Sequence, residues 1–233
     1  MSDAGDDDLA LVRARIVYAD RELVVVDKPP GFVSAGPPRL GRQSVESLLV
    51  AARGRARVWA VHQLDRDTSG LNLFVLHKAA VLRWAERLKV EGAKRYLAVT
   101  HGVPALGRIE AAIADRPHPV MGKLFPAVVP ADAPDGKPSI TEVLRAEPSP
   151  DGAAALVELR PLTGRTHQVR VHLAHVGHPL YGEKVHRVPP CEAHPRHALH
   201  AWRLAFSDVT FEAPLAPDLV ALSARLGIPG GLC

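Results

Sequence analysis

The apolar positions of this chain fall into short runs whose spacing predicts alternating strands and helices. From Glu22 to Asp27 (ELVVVD) a continuous apolar run predicts a strand, stopped by the turn signal Lys28-Pro29-Pro30-Gly31. Ser44 is placed to cap a helix reaching about Arg53, with Val45, Leu48 and Leu49 on one face. A second strand is expected at Leu73 to His77. Ala79 to Val90 follows as an amphipathic helix, its apolar side read as Val81, Leu82, Ala85 and Leu88. Tyr96 to Thr100, Thr141 to Arg145, Ala155 to Arg160 and Trp202 to Phe206 read as further strands.

Val169, Leu173 and Val176 have helical spacing, and Gly177 and Pro179 end that helix. A last helix is expected from about Asp218 to Leu226. Between 115 and 140 lie Pro117, Pro119, Pro126, Pro130, Pro134 and Pro138, which predict a long loop; loops of that length inside a domain are as a rule functional or mobile. Strands and helices are interspersed without strict βαβ alternation, so the fold class is α+β.

Composition narrows the setting. The chain has 233 residues, 47% of them hydrophobic and 23% charged, enough for one sizeable core and too apolar for wholesale disorder. No apolar run reaches the ~20 residues of a membrane span. The start, MSDAGDDDLA, is acidic and has no secretory apolar core. Residues 1–13 are therefore expected as a solvated, mobile tail ahead of one domain over 14–233. Net charge is +4, from 29 basic and 25 acidic residues. With Asp3, Asp6, Asp7 and Asp8 in the tail, the body is more basic than that total and suits a polyanionic partner. Two cysteines, Cys191 and Cys233, make no disulfide framework and read as free thiols of a cytoplasmic protein.

Three stretches could carry chemistry. In His62 to Gly70, Asp65 and Asp67 occupy a polar turn between apolar runs. Asp67 reads as a turn cap, whereas Asp65 is placed to be partly buried, where a carboxylate needs a cation or donors to stay charged. Leu159 to His172 gathers Arg160, Arg165, His167, Arg170 and His172 around a helix start, which attracts an anion, either a phosphate or a protein carboxylate, or else is a solvated basic face. Cys191, His194, His197 and His200 recur at every third position and superficially suggest zinc. The paired spacing of structural zinc sites is missing and Pro195 interrupts any common helix, so these are read as histidines of a surface loop.

Taken together, four blocks resemble the RluA-type RNA pseudouridine synthases, over about Ile16 to Leu222. They are Leu23 to Gly31 (LVVVDKPPG), His62 to Gly70 (HQLDRDTSG), Lys94 to Ala98 (KRYLA) and Leu159 to Gly182, which contains T-G-R-T-H-Q-V-R-V-H. Gly136-Lys137-Pro138 and Arg196-x-x-Leu199-His200-Ala201 are smaller echoes. The resemblance implies a single catalytic domain with a mainly antiparallel sheet, flanking helices and a central cleft. It implies isomerisation of uridine to pseudouridine in transfer or ribosomal RNA, with no metal and no cofactor.

By the same resemblance the catalytic carboxylate falls on Asp65, its arginine partner on Arg165 and the active-site tyrosine on Tyr96. Gln63, Arg66, Arg160, His167, Arg170, Lys184 and the 115–140 excursion become candidates for RNA contact. Two departures stand out. Gln63 occupies the position of an arginine that in relatives helps fill the gap left by the flipped nucleotide. The small RNA-binding domain that precedes the catalytic domain in many relatives has no counterpart in the roughly fifteen residues before Ile16. A monomer acting on RNA, without membrane or small-molecule partner, is expected. The rival readings are a catalytically silent RNA-binding protein on the same fold and a metal-dependent hydrolase using the histidine-rich half.

Overall fold

A computed structural model describes residues 3–37, 42–54, 57–91 and 93–231. In chain order its elements are α1 (Asp3–Ala14), β1 (Ile16–Ala19), β2 (Leu23–Lys28), α2 (Val45–Arg53), β3 (Trp59–Ala60), β4 (Ser69–Val75), α3 (Ala80–Val90) and β5 (Ala93–His101). There follow β6 (Gly107–Pro117), β7 (Leu124–Val129), β8 (Lys137–Pro148), β9 (Ala154–Pro161), α4 (Gln168–His175), β10 (Leu199–Ala205), β11 (Thr210–Glu212) and α5 (Pro217–Arg225). The strands pair mainly antiparallel, and the fold is α+β as the interspersed pattern predicts. The chain divides into two compact units: Met1–Lys94 with Ala201–Pro214, and Arg95–His200 with Leu215–Cys233.

In the first unit the order is β1-β2-β4-β10, with β3 on β4 and β11 on β10. All six residues of β2 are buried. Because side chains alternate along a strand, they feed two cores. Val24 and Val26 join Val45, Leu48 and Leu49 of α2 and Phe74, while Leu23 and Val25 join Leu73, Trp84, Leu88 and Phe206. The Ser44 cap forms as expected, its hydroxyl accepting from the Ser47 amide at 3.2 Å.

Two expectations are corrected here. The acidic start is a helix, and its Val12 is fully buried in the first core beside Leu9. Carboxylates near the N-terminus of a helix are favoured by its dipole, so the charge run that suggested a solvated tail assists α1 instead. In α3 the buried face is Ala80, Trp84 and Leu88, whereas Leu82 is 81% exposed. The Trp84 ring sets that face, standing edge-on to Phe206 at 5.3 Å and donating its indole N–H to Glu22.

In the second unit five strands run β5-β9-β8-β6-β7. The expected proline-rich loop is largely strand. β7 is the last strand of that order, and an edge strand tolerates Pro126 because one side of it needs no ladder N–H. Pro138 sits at the start of β8, and Pro119, Pro130 and Pro134 fall in the connections. α4 packs Val169 and Leu173 against Ala98, Val157 and Leu159, while Val176 caps the helix and lies 40% exposed.

One contact in the first unit sets a strict size limit. Gly70, at φ 104°, lies so close to Ala201 that an added Cβ would come within 2.2 Å of that residue's carbonyl oxygen. Gly70→Ala is expected to destabilise the protein by about 3 kcal/mol, since the backbone conformation and the clash are both unfavourable. Urea unfolding of the two proteins measures the difference, and a loss below about 1 kcal/mol would show that the strands part at little cost.

Candidate active site

The turn carrying Asp65 lies in the first unit, between β3 and β4, and is pinned through its backbone. The His62 carbonyl accepts from Asn72 at 2.9 Å, and the Leu64 amide donates to Ser34 Oγ at 3.0 Å. The Thr68 amide returns to the Asp65 carbonyl at 3.1 Å, closing the turn. The Arg66 carbonyl accepts both the Gly31 amide and the ammonium of Lys28, each at 2.9 Å. Lys28 also donates to the carbonyls of Phe32 at 2.8 Å and Pro29 at 3.2 Å, and it has no exposed surface.

Asp65 is half-buried, Gln63 exposed and Arg66 half-buried with a hydrogen bond to Asp67 at 3.0 Å. Asp67 thus meets a cation as well as shaping the turn. His62 Nε2 accepts the Leu73 amide at 3.3 Å, and burial, with Lys94 nearby, pushes its pKa down to about 3. The ring is therefore neutral and works as an acceptor.

The second unit carries Tyr96 and Arg165. Tyr96 is half-buried on β5, opposite Leu159 on β9, and packs against the core beneath α4. Arg165 is exposed on the turn leading into α4. Gln168, overlooked in the sequence although it stands inside the fourth block, organises that turn. Its Oε1 accepts from Thr163 Oγ1 at 2.7 Å and the Arg165 amide at 3.0 Å, while its Nε2 donates to the Ile140 carbonyl and Thr141 Oγ1. His167 follows at φ 53°, the one non-glycine residue at positive φ among the described residues, a conformation kept where surroundings enforce it. Its Nδ1 lies 2.9 Å from His186 Nε2.

Several expected RNA contacts find protein partners instead. Arg170 is buried, and both ends of its guanidinium fork meet Glu183 at 2.9 Å, so a direct phosphate role is corrected to a structural one. Burial opposes ionisation of Glu183, but the Arg170 hydrogen bonds and charge hold its carboxyl far below the usual range. Arg160 is half-exposed and bonded to Glu142, which also holds Arg108 at 3.1 Å. Lys184 remains exposed, 3.9 Å from Glu192.

The histidine series is buried, correcting the surface-loop expectation: His194 binds Asp218 at 3.2 Å, and Cys191 is a buried free thiol 3.2 Å from His101. Cys233 lies outside the described residues. No three potential metal ligands come together among the described residues. No helix among them is long and apolar enough to cross a membrane.

The α+β fold carries the Asp65 turn in its first unit and the Arg165 turn in its second. Residues 22–175 match the RNA pseudouridylate synthase family, and the chain belongs to that family. It is 36% identical over 242 residues to the ribosomal large subunit pseudouridine synthase D of Neisseria meningitidis, covering 93% of this chain and 62% of that relative. It thus spans less than two thirds of that protein. It is 34% identical over 210 residues to the dual-specificity RNA pseudouridine synthase RluA of Escherichia coli, covering 85% of this chain and 92% of the relative. Among solved structures, human RNA pseudouridylate synthase domain containing 4 shares the fold, with a TM-score of 0.77 at 22% identity over 97% of this chain and 98% of that one. Human domain containing 1 gives a TM-score of 0.62 at 29% identity, over 88% and 86%.

Lys28→Met is expected to take this donor from the carbonyls of Pro29 and Phe32, each costing about 1–3 kcal/mol, while the Arg66 carbonyl keeps the Gly31 amide. Thermal melting should show a loss of at least about 2 kcal/mol; a loss under about 1 kcal/mol would mean that the turn finds other donors.

A second prediction concerns acid. His172 is fully buried, and burial pushes its pKa down to about 4. Unfolded, the ring takes a proton near 6.5, so between about 6.5 and 4 the unfolded state binds a proton that the folded state refuses. Stability therefore falls as pH drops through that window, by about 2 kcal/mol at about pH 5 from this one group. Urea unfolding near neutrality and near pH 5 checks it: His172→Leu should show a shallower fall than the parent.

Proposed function

We propose that this chain isomerises specific uridines in structured RNA, transfer or ribosomal, to pseudouridine, with Asp65 as the catalytic carboxylate. The observation that carries the reading is the Asp65 turn, whose backbone is held on both sides by the side chains of Asn72, Ser34 and Lys28 within a chain of this family. Reaction at a base demands a carboxylate placed to a fraction of an ångström, and such pinning prepays its ordering entropy. The names of the relatives, a ribosomal large-subunit enzyme and a dual-specificity RNA enzyme, support the substrate class.

In the reaction the N1–C1′ bond of uridine breaks, the uracil turns, and a C5–C1′ bond forms. C5 gives up its proton and N1 ends protonated, so nothing enters or leaves overall. Asp65 attacks the sugar or the ring as nucleophile, or assists elimination at the sugar. Arg165 supplies a guanidinium fork that keeps a carboxylate ionised and oriented. Tyr96 offers a flat face to the uracil and a hydroxyl for proton transfer. Gln63, exposed at the start of the turn, has an amide that hydrogen-bonds but stacks poorly. That favours a target uridine already unstacked in a loop or bulge, where extrusion costs least. Arg66 and Lys184 are the remaining candidates for phosphate contact.

Asp65→Asn tests the assignment, because the amide keeps the shape and loses the nucleophile. With transcripts of transfer and large-subunit ribosomal RNA carrying uridine tritiated at C5, the parent should release tritium and the variant none. RNA affinity and melting temperature should stay the same. Turnover by the asparagine variant, with deamidation excluded by mass spectrometry, would remove Asp65 from the chemistry.

A further inference from the structure

The second unit holds a cavity of about 360 Å³ that neither polar turn fills. Its volume lies in the range of about 300–1,000 Å³ over which sites for small organic groups are found. Its walls include Phe125 and Val128 of β7, Val171 and Ala174 of α4, and the rings of His118 and His186.

Hydrogen bonds hold the rings of the walls. His118 Nε2 lies 2.8 Å from the Val185 carbonyl, so that nitrogen carries the proton. Its Nδ1 accepts the amides of Val120 at 3.2 Å and Met121 at 3.1 Å. Both nitrogens are committed, and the ring is held as one neutral tautomer. Burial, with Arg170 nearby, pushes the His186 pKa down to about 3, so that ring is neutral too. Phe125 stands edge-on to His118 with centroids 5.7 Å apart.

The exposed imidazole of His175 lines the mouth, and the exposed ammonium of Lys123 lies on the hairpin turn beside His118. Arg116 also lines it but is engaged by Asp135 at 2.7 and 2.9 Å. No carboxylate lines the cavity among the described residues. The cavity also adjoins the Arg165 turn, because its wall residue His186 meets His167, two positions beyond Arg165.

We propose that this cavity receives a second unstacked base of the substrate RNA, besides the target uridine. The base lies against the faces of Phe125, His118 and His186, and its backbone phosphates lie toward Lys123 and His175. Flat neutral rings with a cation at the rim are the arrangement that takes single-stranded bases without reading their edges. The assignment rests on the reading of the chain as an RNA pseudouridine synthase.

Phe125→Leu keeps an apolar side chain, somewhat smaller, and removes the ring face, and Phe125→Tyr keeps the ring. Ala174→Glu places a carboxylate in the mouth. On whichever transcript the parent modifies, Phe125→Leu and Ala174→Glu should raise KM about ten-fold, as loss of one base–aromatic stack does. Their kcat and melting temperature should not change, and Phe125→Tyr should match the parent. Chemical probing of base accessibility in the complex should show one protected base besides the target, exposed again in both weakened variants. Parental turnover with unchanged KM and an unchanged footprint in both variants overturns the cavity's role and leaves the Asp65 reading standing. Failure of the parent to modify either RNA overturns that reading, and the cavity assignment with it.

Discussion

A lysine ammonium with no exposed surface, Lys28, donates to three backbone carbonyls, and the placing of the Asp65 turn depends on it. Burying a charge is costly unless its donors are satisfied, so the site is stable only with the chain wrapped around that one nitrogen. Two of the carbonyls belong to the turn that ends β2, and the third belongs to Arg66, the residue after Asp65. The β2–β4 register sets Lys28 opposite Gly70, where the carboxylate turn re-enters the sheet. Sheet pairing, a buried cation and the close approach at Gly70 thus fix one short segment from three sides.

The second unit solves a similar problem with a neutral group. Gln168 uses both ends of its amide to join the Thr163–Arg165 turn to β8. A buried charged pair, Arg170 with Glu183, ties α4 to the loop carrying His186. A buried pair of this kind adds little net stability, because desolvation offsets the attraction, but breaking it is expensive. Its effect is therefore one of geometry: α4 and the loop at Glu183 cannot shift independently. That rigidity extends through His186 to His167, whose left-handed backbone would not persist unsupported.

Much of this was legible in the residues. ELVVVD is apolar enough to be a strand buried on both faces, and it is one. Ser44 had the side chain and position of a cap, and it caps. The four blocks pointed to the family before any geometry was known. Other elements were misread for physical reasons. The aspartates of α1 drew attention from Leu9 and Val12, whose burial gives that helix its place. The prolines between 115 and 140 argued against strands, yet an edge strand has backbone groups to spare. In α3 periodicity alone could not tell that Trp84, rather than Leu82, finds aromatic and carboxylate partners.

The sequence by itself determined the α+β class and the family and offered candidate side chains for the chemistry, because each depends on residue type and local spacing. Tertiary structure alone decided which of those groups meet a partner. Arg170 and Lys184 look alike in the chain, but one is buried against Glu183 and the other stands in solvent. His118 and His186 are 68 positions apart by their numbers, and only folding sets both in one wall. The reason is that burial and pairing are properties of three-dimensional neighbours, brought together by strand register and helix docking across long stretches of chain.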